Sequence, residues 1–303
     1  MAPLKFFVLG HPIGQSKSPA MQNAALAHLG IDGLYAPLDV PESDLDTVLA
    51  RLEDDPSVLG CNVTVPHKVA VHKWLSSRGR TLRPRAGIAQ AVNTLYRGPD
   101  GLFHGDSTDF DGAMDAILRE AFDGNLRAFA SALPTLDVAV LGSGGAARSI
   151  ATNLAHPWNG TLPHSITIMA RHLDKARDVA DAIGPTSIPV DIAYLADFRT
   201  WNAGRHSLVI QTTTVGMESG EAAGHSPIPS ESHHPGQIAF DLVYKPYDTP
   251  FLQDAATGGA TIVHGIGMLV GQGARSLELW TRGLVENFDR QAVTEAMERA
   301  LGI

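Results

Sequence analysis

The sequence predicts an α/β protein of two domains, each built around a mostly parallel sheet. Three observations predict it. The chain has 303 residues, roughly twice the usual length of one domain. Short apolar runs ending in Gly or Pro alternate with stretches of helical spacing, and strands joined through helices pair in parallel. The alternation also begins afresh at Asp137, after a stretch, Asp123–Leu136, with little pattern.

Lys5–Leu9 is a short apolar run closed by Gly10, the mark of a buried strand. Ser18-Pro19 then opens a helical pattern with Met21, Ala25, Leu26 and Leu29 on one face; Ser18 suits an N-cap and Pro19 the first turn, and Gly30 closes it. Leu34–Leu38 is a second strand. Pro41-Glu42-Ser43 leads into a helix through Leu45, Val48, Leu49 and Leu52, and Leu59–Val65 is a third strand, stopped by Pro66. Ala91–Tyr96 and Leu102–Gly105 read as a hairpin around Gly98-Pro99-Asp100-Gly101, followed by a helix over Phe110–Phe122. Asp123–Leu136 reads as a connector. Strand-like runs recur at Val138–Leu141, Ser165–Met169, Ser207–Gln211, Ile238–Leu242 and Ala260–Val263, and two helical patterns, Leu269–Leu284 and Arg290–Leu301, end the chain. Gly224–Gly236, rich in Ser, Pro and His, reads as a surface loop.

Composition narrows the function. With 44% hydrophobic residues the chain can bury a sizeable core. A net charge of −9 and the lack of any Lys/Arg run argue against a nucleic-acid partner, which would need a basic face. A single cysteine, Cys61, excludes an internal disulfide and reads as a small buried residue. The N-terminal apolar stretch is too short for a signal sequence and is cut by Pro12. Ala255–Ala274 is uncharged and about as long as a bilayer span, but its Gly, Thr, Gln and His264 suit loop, strand and helix start instead. The expectation is a cytoplasmic protein with no membrane partner. His225, His233 and His234 lie in the Pro/Ser loop without supporting carboxylates, so no metal site is expected.

The clearest motif is a strand, Val138–Leu141, followed by Gly142, Ser143, Gly144, Gly145, Ala146 and Ala147 and then a helix through Arg148, Ile150, Ala151 and Leu154. In this G-x-G-x-x-A pattern Gly142 permits the tight turn, Gly144 lets the backbone approach a pyrophosphate, and Ala147 allows close helix–strand packing. The helix N-terminus offers free N–H groups and a positive dipole end. This is the fingerprint of a dinucleotide-binding Rossmann domain. At the end of the next strand, Ala170 stands where an NAD site usually carries an acid, while Arg171 can pair with a 2′-phosphate or lie solvated. The pattern favours NADP over NAD.

In the N-terminal half, Asn62–Lys68 reads as a strand ending in a polar cluster. Lys68 there is either a solvated surface group or, beside a carboxylate in a cleft, a proton donor. Asp109 is either an N-cap or a functional carboxylate, and Asn93 either a turn residue or a ligand group. Residue pattern alone leaves all three open.

The set GHPIGQSKSP, NVTVPHK, AVNTL, STDFDG, VLGSGGAARS, FDLVYKP and GMLVGQGARSLELW, from Gly10 to Trp280, resembles the shikimate dehydrogenase family in content and order. The resemblance implies a substrate-binding domain over residues 1–114, rejoined by helices at 268–303, and a Rossmann domain over 115–267. It implies that Ser16 and Ser18 bind a substrate carboxylate, that Thr64, Asn93 and Gln272 surround ring hydroxyls with Tyr244 nearby, and that Lys68 and Asp109 form an acid/base pair. Ala170, Arg171, His172, Leu242 and Gly265 join residues 142–147 in the cofactor set. The implied reaction is reversible NADPH-dependent reduction of 3-dehydroshikimate to shikimate, in aromatic amino acid (chorismate) biosynthesis, by a monomer or homodimer. Departures from the family pattern include Gln22 for histidine, Gln90 for glycine, Ser107 for asparagine, Ala170 and His172 around Arg171, and Gln211–Gly216 in place of a motif with asparagine and proline. The alternatives are an NAD-using quinate/shikimate dehydrogenase, a paralogue with another substrate, and a non-catalytic nucleotide-binding regulator. Retention of Lys68 and Asp109 speaks against the last.

Overall fold

Apolar runs become strands wherever helices can cover both faces, and in this chain that happens twice. The computed structural model describes residues 3–198, 205–220 and 222–303. They divide into two units, one formed by the chain up to Thr108 with Val270–Ile303, the other by Asp109–Leu269. The helix Asp109–Phe122 is a single element of the second unit, so the division falls at its start, ahead of the boundary expected after residue 114.

In the first unit β1 (Leu4–Gly10), β2 (Gly33–Asp39) and β3 (Val58–Val63) pair in parallel, and β4 (Thr94–Arg97) and β5 (Phe103–Asp106) add an antiparallel hairpin, in the order β2-β1-β3-β4-β5. Leu9, Leu49, Cys61, Val71, Trp74, Leu75, Leu95 and Phe103 form a core on this sheet. Trp280 packs its ring against Phe6 and Tyr35 and donates its indole N–H to the Leu95 carbonyl at 2.7 Å. That anchor fixes the C-terminal end of the helix Gly265–Trp280 on the sheet.

In the second unit β6 (Asp137–Leu141), β7 (Ser165–Ala170), β8 (Val190–Tyr194), β9 (Leu208–Gln211), β10 (Ile238–Asp241) and β11 (Thr261–His264) form one sheet in the order β11-β10-β9-β6-β7-β8, every pair parallel. Read from β8, the strands run third, second, first, fourth, fifth, sixth. This is the doubly wound order whose ligand crevice opens where the winding reverses, between β6 and β9. The α/β class and the Rossmann reading are thus borne out.

Several local expectations change. Lys17, not Ser18, holds the cap position of the helix Ser18–His28, with no side-chain cap; the Ser18 N–H instead meets Ser16 Oγ at 3.3 Å. β3 ends at Val63, and Lys68 begins the helix Lys68–Ser77 rather than ending a strand. The supposed connector contains a helix, Leu126–Ala132, capped by the Asn125 side chain, which accepts from the Ala128 N–H at 3.0 Å. The loop Gly224–Gly236 is only partly on the surface, since Ile228, Ser232 and His233 are buried.

Candidate active site

The first unit presents its candidate groups at the carboxyl ends of its parallel strands, where ligands of open α/β sheets bind. After β1 the chain turns through Gly10–Ile13 to Ser16 and Ser18, held together by the 3.3 Å contact between them. After β3, Thr64 donates its N–H to the Leu9 carbonyl at 2.8 Å, tying the ends of β1 and β3 together. His67 is buried and its Nε2 lies 2.7 Å from the Val40 carbonyl oxygen. Half-buried Lys68 follows at the first turn of its helix and accepts the Val92 N–H at its carbonyl, 2.9 Å. A helix N-terminus favours anions, so the Lys68 charge opposes the dipole there.

Asn93, at 2% exposure, is the centre of a buried polar network. Its Nδ2 donates to Thr108 Oγ1 at 3.0 Å and to Gln272 Oε1 at 2.9 Å, and its Oδ1 accepts from the Thr108 N–H at 2.8 Å and the Thr94 hydroxyl at 2.9 Å. Behind it, Asn62 donates to Ser276 Oγ at 2.9 Å and accepts from the Tyr35 hydroxyl at 2.8 Å. A network with every member bonded holds one geometry, because a broken bond leaves a buried polar group unpaired. The bond from Asn93 fixes the orientation of the Gln272 amide, whose NH2 group can donate to a ligand hydroxyl. Asp109, which follows Thr108, is 3% exposed and opens the helix Asp109–Phe122. Sequence reasoning missed Thr94, Thr108, Asn62, Tyr35 and Ser276. The one local signal was the i, i+4 spacing of Gln272 and Ser276, whose hydroxyl donates to the Gln272 carbonyl.

The second unit carries the Gly-rich turn at the β6–β9 switch point. Gly142 has φ +122°, and a Cβ there would lie 2.5 Å from Thr212 Oγ1, so the turn requires glycine. Gly144 precedes the helix Gly145–Leu154, and nothing lies within 4 Å of where its Cβ would be. No side chain caps this helix, so the unpaired N–H groups of its first turn are left for a ligand. The cradle therefore fits a pyrophosphate. Ala170 ends β7; Arg171 and His172 follow, both exposed, with His172 at the cap of the helix Leu173–Ile183.

At the end of β10, Asp241 is fully buried. Burial pushes its carboxyl up to about 7, against hydrogen bonds from the Thr249 hydroxyl at 2.6 Å and the Val243 N–H at 2.9 Å. These bonds shape the turn bearing Leu242 and Tyr244. Gly265 packs against this turn so closely that a Cβ would lie 2.5 Å from the Leu242 carbonyl oxygen. Leu242 and Gly265 are thus brought together, as are residues 142–147.

The weaker candidates have local roles. Burial pushes the Cys61 thiol up to about 12, which leaves it no nucleophile. His233 Nδ1 lies 2.8 Å from Gln237 Oε1, and His225 and His234 pair with nearby carbonyls. Among the described residues no group of three or more His, Cys, Asp or Glu is placed to hold a metal ion, and no helix is long and apolar enough to cross a membrane.

Residues 8–95 match the family described as shikimate dehydrogenase substrate binding domain, and residues 265–284 match shikimate 5′-dehydrogenase C-terminal domain. The chain is 34% identical over 301 residues to a shikimate dehydrogenase (NADP(+)) of Moorella thermoacetica, covering 97% of this chain and 91% of that one. A shikimate dehydrogenase (NADP(+)) of Bacillus cereus is 35% identical over 286 residues, covering 93% and 94%. Among solved structures, shikimate 5-dehydrogenase from Thermus thermophilus in complex with NADP(H) and shikimate superposes with a TM-score of 0.75 at 31% identity, covering 98% of this chain and 99% of that one.

Proposed function

The chain belongs to the shikimate dehydrogenase family, and from that premise we propose that it catalyses the reversible NADPH-dependent reduction of 3-dehydroshikimate to shikimate. What carries the reading is likeness to NADP(+)-named shikimate dehydrogenases along more than nine-tenths of both chains.

Ser16 and Ser18 donate to the substrate carboxylate, and Thr64, Asn93 and Gln272 take the ring hydroxyls, with Tyr244 alongside. The buried network supports this division, because Asn93 holds the Gln272 amide in one orientation. Lys68 and Asp109 are the acid/base pair. As the carbonyl carbon is reduced, its oxygen gains negative charge and needs a proton. The Lys68 ammonium supplies the proton and stabilises the charge before transfer, and the Asp109 carboxylate keeps that ammonium oriented. Residues 142–147 hold the cofactor pyrophosphate, Arg171 its 2′-phosphate, Ala170 and His172 the adenosine end, and Leu242 and Gly265 the nicotinamide side. NADPH bound there supplies the hydride.

We place the enzyme in the cytoplasm, as a monomer or homodimer acting on two small molecules. The test is reduced-nicotinamide absorbance while shikimate or quinate is mixed with NADP or NAD, without added metal. Shikimate with NADP should turn over best. Turnover of quinate or another hydroxy acid but not shikimate would overturn the substrate and leave the reaction class.

A further inference from the structure

His264, the last residue of β11, carries two ring bonds that neither the cofactor cradle nor the substrate groups explain. Its Nδ1 lies 2.9 Å from Glu120 Oε2, the same oxygen that accepts its backbone N–H at 3.0 Å. Its Nε2 lies 3.1 Å from Asp248 Oδ1. Tyr247 stacks on the ring, centroids 4.2 Å apart at 18°. Both ring nitrogens thus face carboxylate oxygens. A neutral imidazole has one N–H and would turn a lone pair toward the second carboxylate, so only the imidazolium satisfies both. The groups around it are Glu120 and Arg119 from the helix Asp109–Phe122, with Arg119 3.5 Å from the other Glu120 oxygen, and Asp248 and Tyr247 from the turn after β10. The bond to Glu120 first, and that to Asp248, hold the imidazole above its usual 6.5 against burial.

Side chains tie the turn Leu242–Thr249 at several points. Thr249 and Val243 bond the buried Asp241, Lys245 pairs with Glu218 at 2.9 Å, and Asp248 meets His264. The last reaches the helix Asp109–Phe122, through Glu120. Its two halves differ in strength. Glu120 and His264 side chains are 21% and 13% exposed, whereas Asp248 is 61% exposed, so solvent screens the Asp248 half.

We propose that His264, as an imidazolium, is a positioning residue that ties Asp248 to Glu120 and thereby holds Leu242 and Tyr244 in their ligand-contacting places. This rests on the assignment of Leu242 and Tyr244 above. The tie is complete below pH 6.5 and is lost as pH rises through the raised value of His264. The turn then keeps its bonds to Asp241 and Glu218 but has lost this tie to Glu120.

The experiment compares Asp248→Ala, which cuts the tie but keeps the His264–Glu120 bond, with wild type across the pH range. At pH below 6.5 the shikimate KM of the variant should exceed that of wild type by about threefold to tenfold, as for one screened charge-assisted bond. The ratio should fall toward one as pH rises, with kcat little changed, and Asp248→Asn, which keeps an acceptor, should restore most of the low-pH KM. A ratio of one throughout, or a raised ratio that ignores pH, overturns the proposal. If wild type does not turn over shikimate at all, the proposed substrate fails instead. Amide exchange of Val243–Tyr247 then decides, and exchange unchanged by Asp248→Ala overturns the tie.

Discussion

Lys68 opens a helix with its charge against the dipole, and Asp109 is a carboxylate buried at the first turn of another. The first opposes the helix dipole and the second buries a carboxylate that the dipole favours, so a turnover readout is what separates a functional role from a helix-terminal one. Lys68→Ala should lower kcat by about two to four orders of magnitude while KM changes far less. Asp109→Asn should also cut turnover with the melting temperature nearly kept. A Lys68→Ala enzyme with near wild-type kcat sinks the assignment, and an Asp109→Asn enzyme that only melts earlier makes Asp109 a helix-terminal residue. We assign the reading of cofactor choice to Arg171. It is exposed, with no acid before it and Ala170 in the usual acid's place, so on this assignment NADP would gain a screened ion pair there and NAD would gain nothing. A preference of about tenfold to a hundredfold in kcat/KM follows from one such interaction. Arg171→Ala should erase most of it through the NADP KM. Equal harm to both cofactors would show that Arg171 does not read the phosphate.

At the scale of elements, the β6 turn and the helix after it form a unit that tolerates little change. Gly142→Ala places a methyl 2.5 Å from Thr212 Oγ1 on a backbone at φ +122°, so the turn must open. NADP affinity should drop by about tenfold or more, while shikimate binding, assigned mainly to Ser16, Ser18, Thr64, Asn93 and Gln272 of the other unit, should hold. Calorimetric titration of each ligand measures this, and equal loss of both would point to global unfolding. This element was fully legible in the sequence, because strand, glycines and helix are contiguous. The parallel order of the second sheet was legible only as alternation. Its edge strand β8 escaped, since Ala193 is its one buried residue and the alternation is faint. The helix Leu126–Ala132 escaped because only Phe129 along it is buried, too short a pattern to show a period. The helix after Lys68 could have been found from Val71, Trp74 and Leu75, which lie three and four apart and bury one face. The network around Asn93 could not, because Asn62 and its partner Ser276 are 214 residues apart and such pairing exists only in the fold.

For the molecule as a whole, two buried groups of the second unit should make stability depend on pH in opposite directions. Burial pushes the Asp241 carboxyl from 3.8 up to about 7, so between these values the unfolded chain ionises it and the folded chain does not. Its contribution is full below pH 3.8 and is lost as pH rises to about 7. Burial, reinforced by Arg205, pushes His206 from 6.5 down to about 4. The unfolded chain takes up that proton in this window and the folded chain does not, so the contribution of His206 is full above pH 6.5 and is lost as pH falls toward 4. From about pH 4 to 6.5 the two slopes oppose each other, and wild type conceals both. Single variants expose them. The melting temperature of Asp241→Asn minus that of wild type should climb by a few degrees between pH 4 and 7 and then level off. The same difference for His206→Gln should fall between pH 4 and 6.5 and then level off. Subtracting wild type removes the surface carboxylates common to all three proteins, and any fixed cost of a substitution shifts a curve without tilting it. Difference curves that stay flat across the window would mean that neither group changes its protonation on folding. The buried Asp241–Thr249 bond would then be a bond to a carboxylate charged in both states.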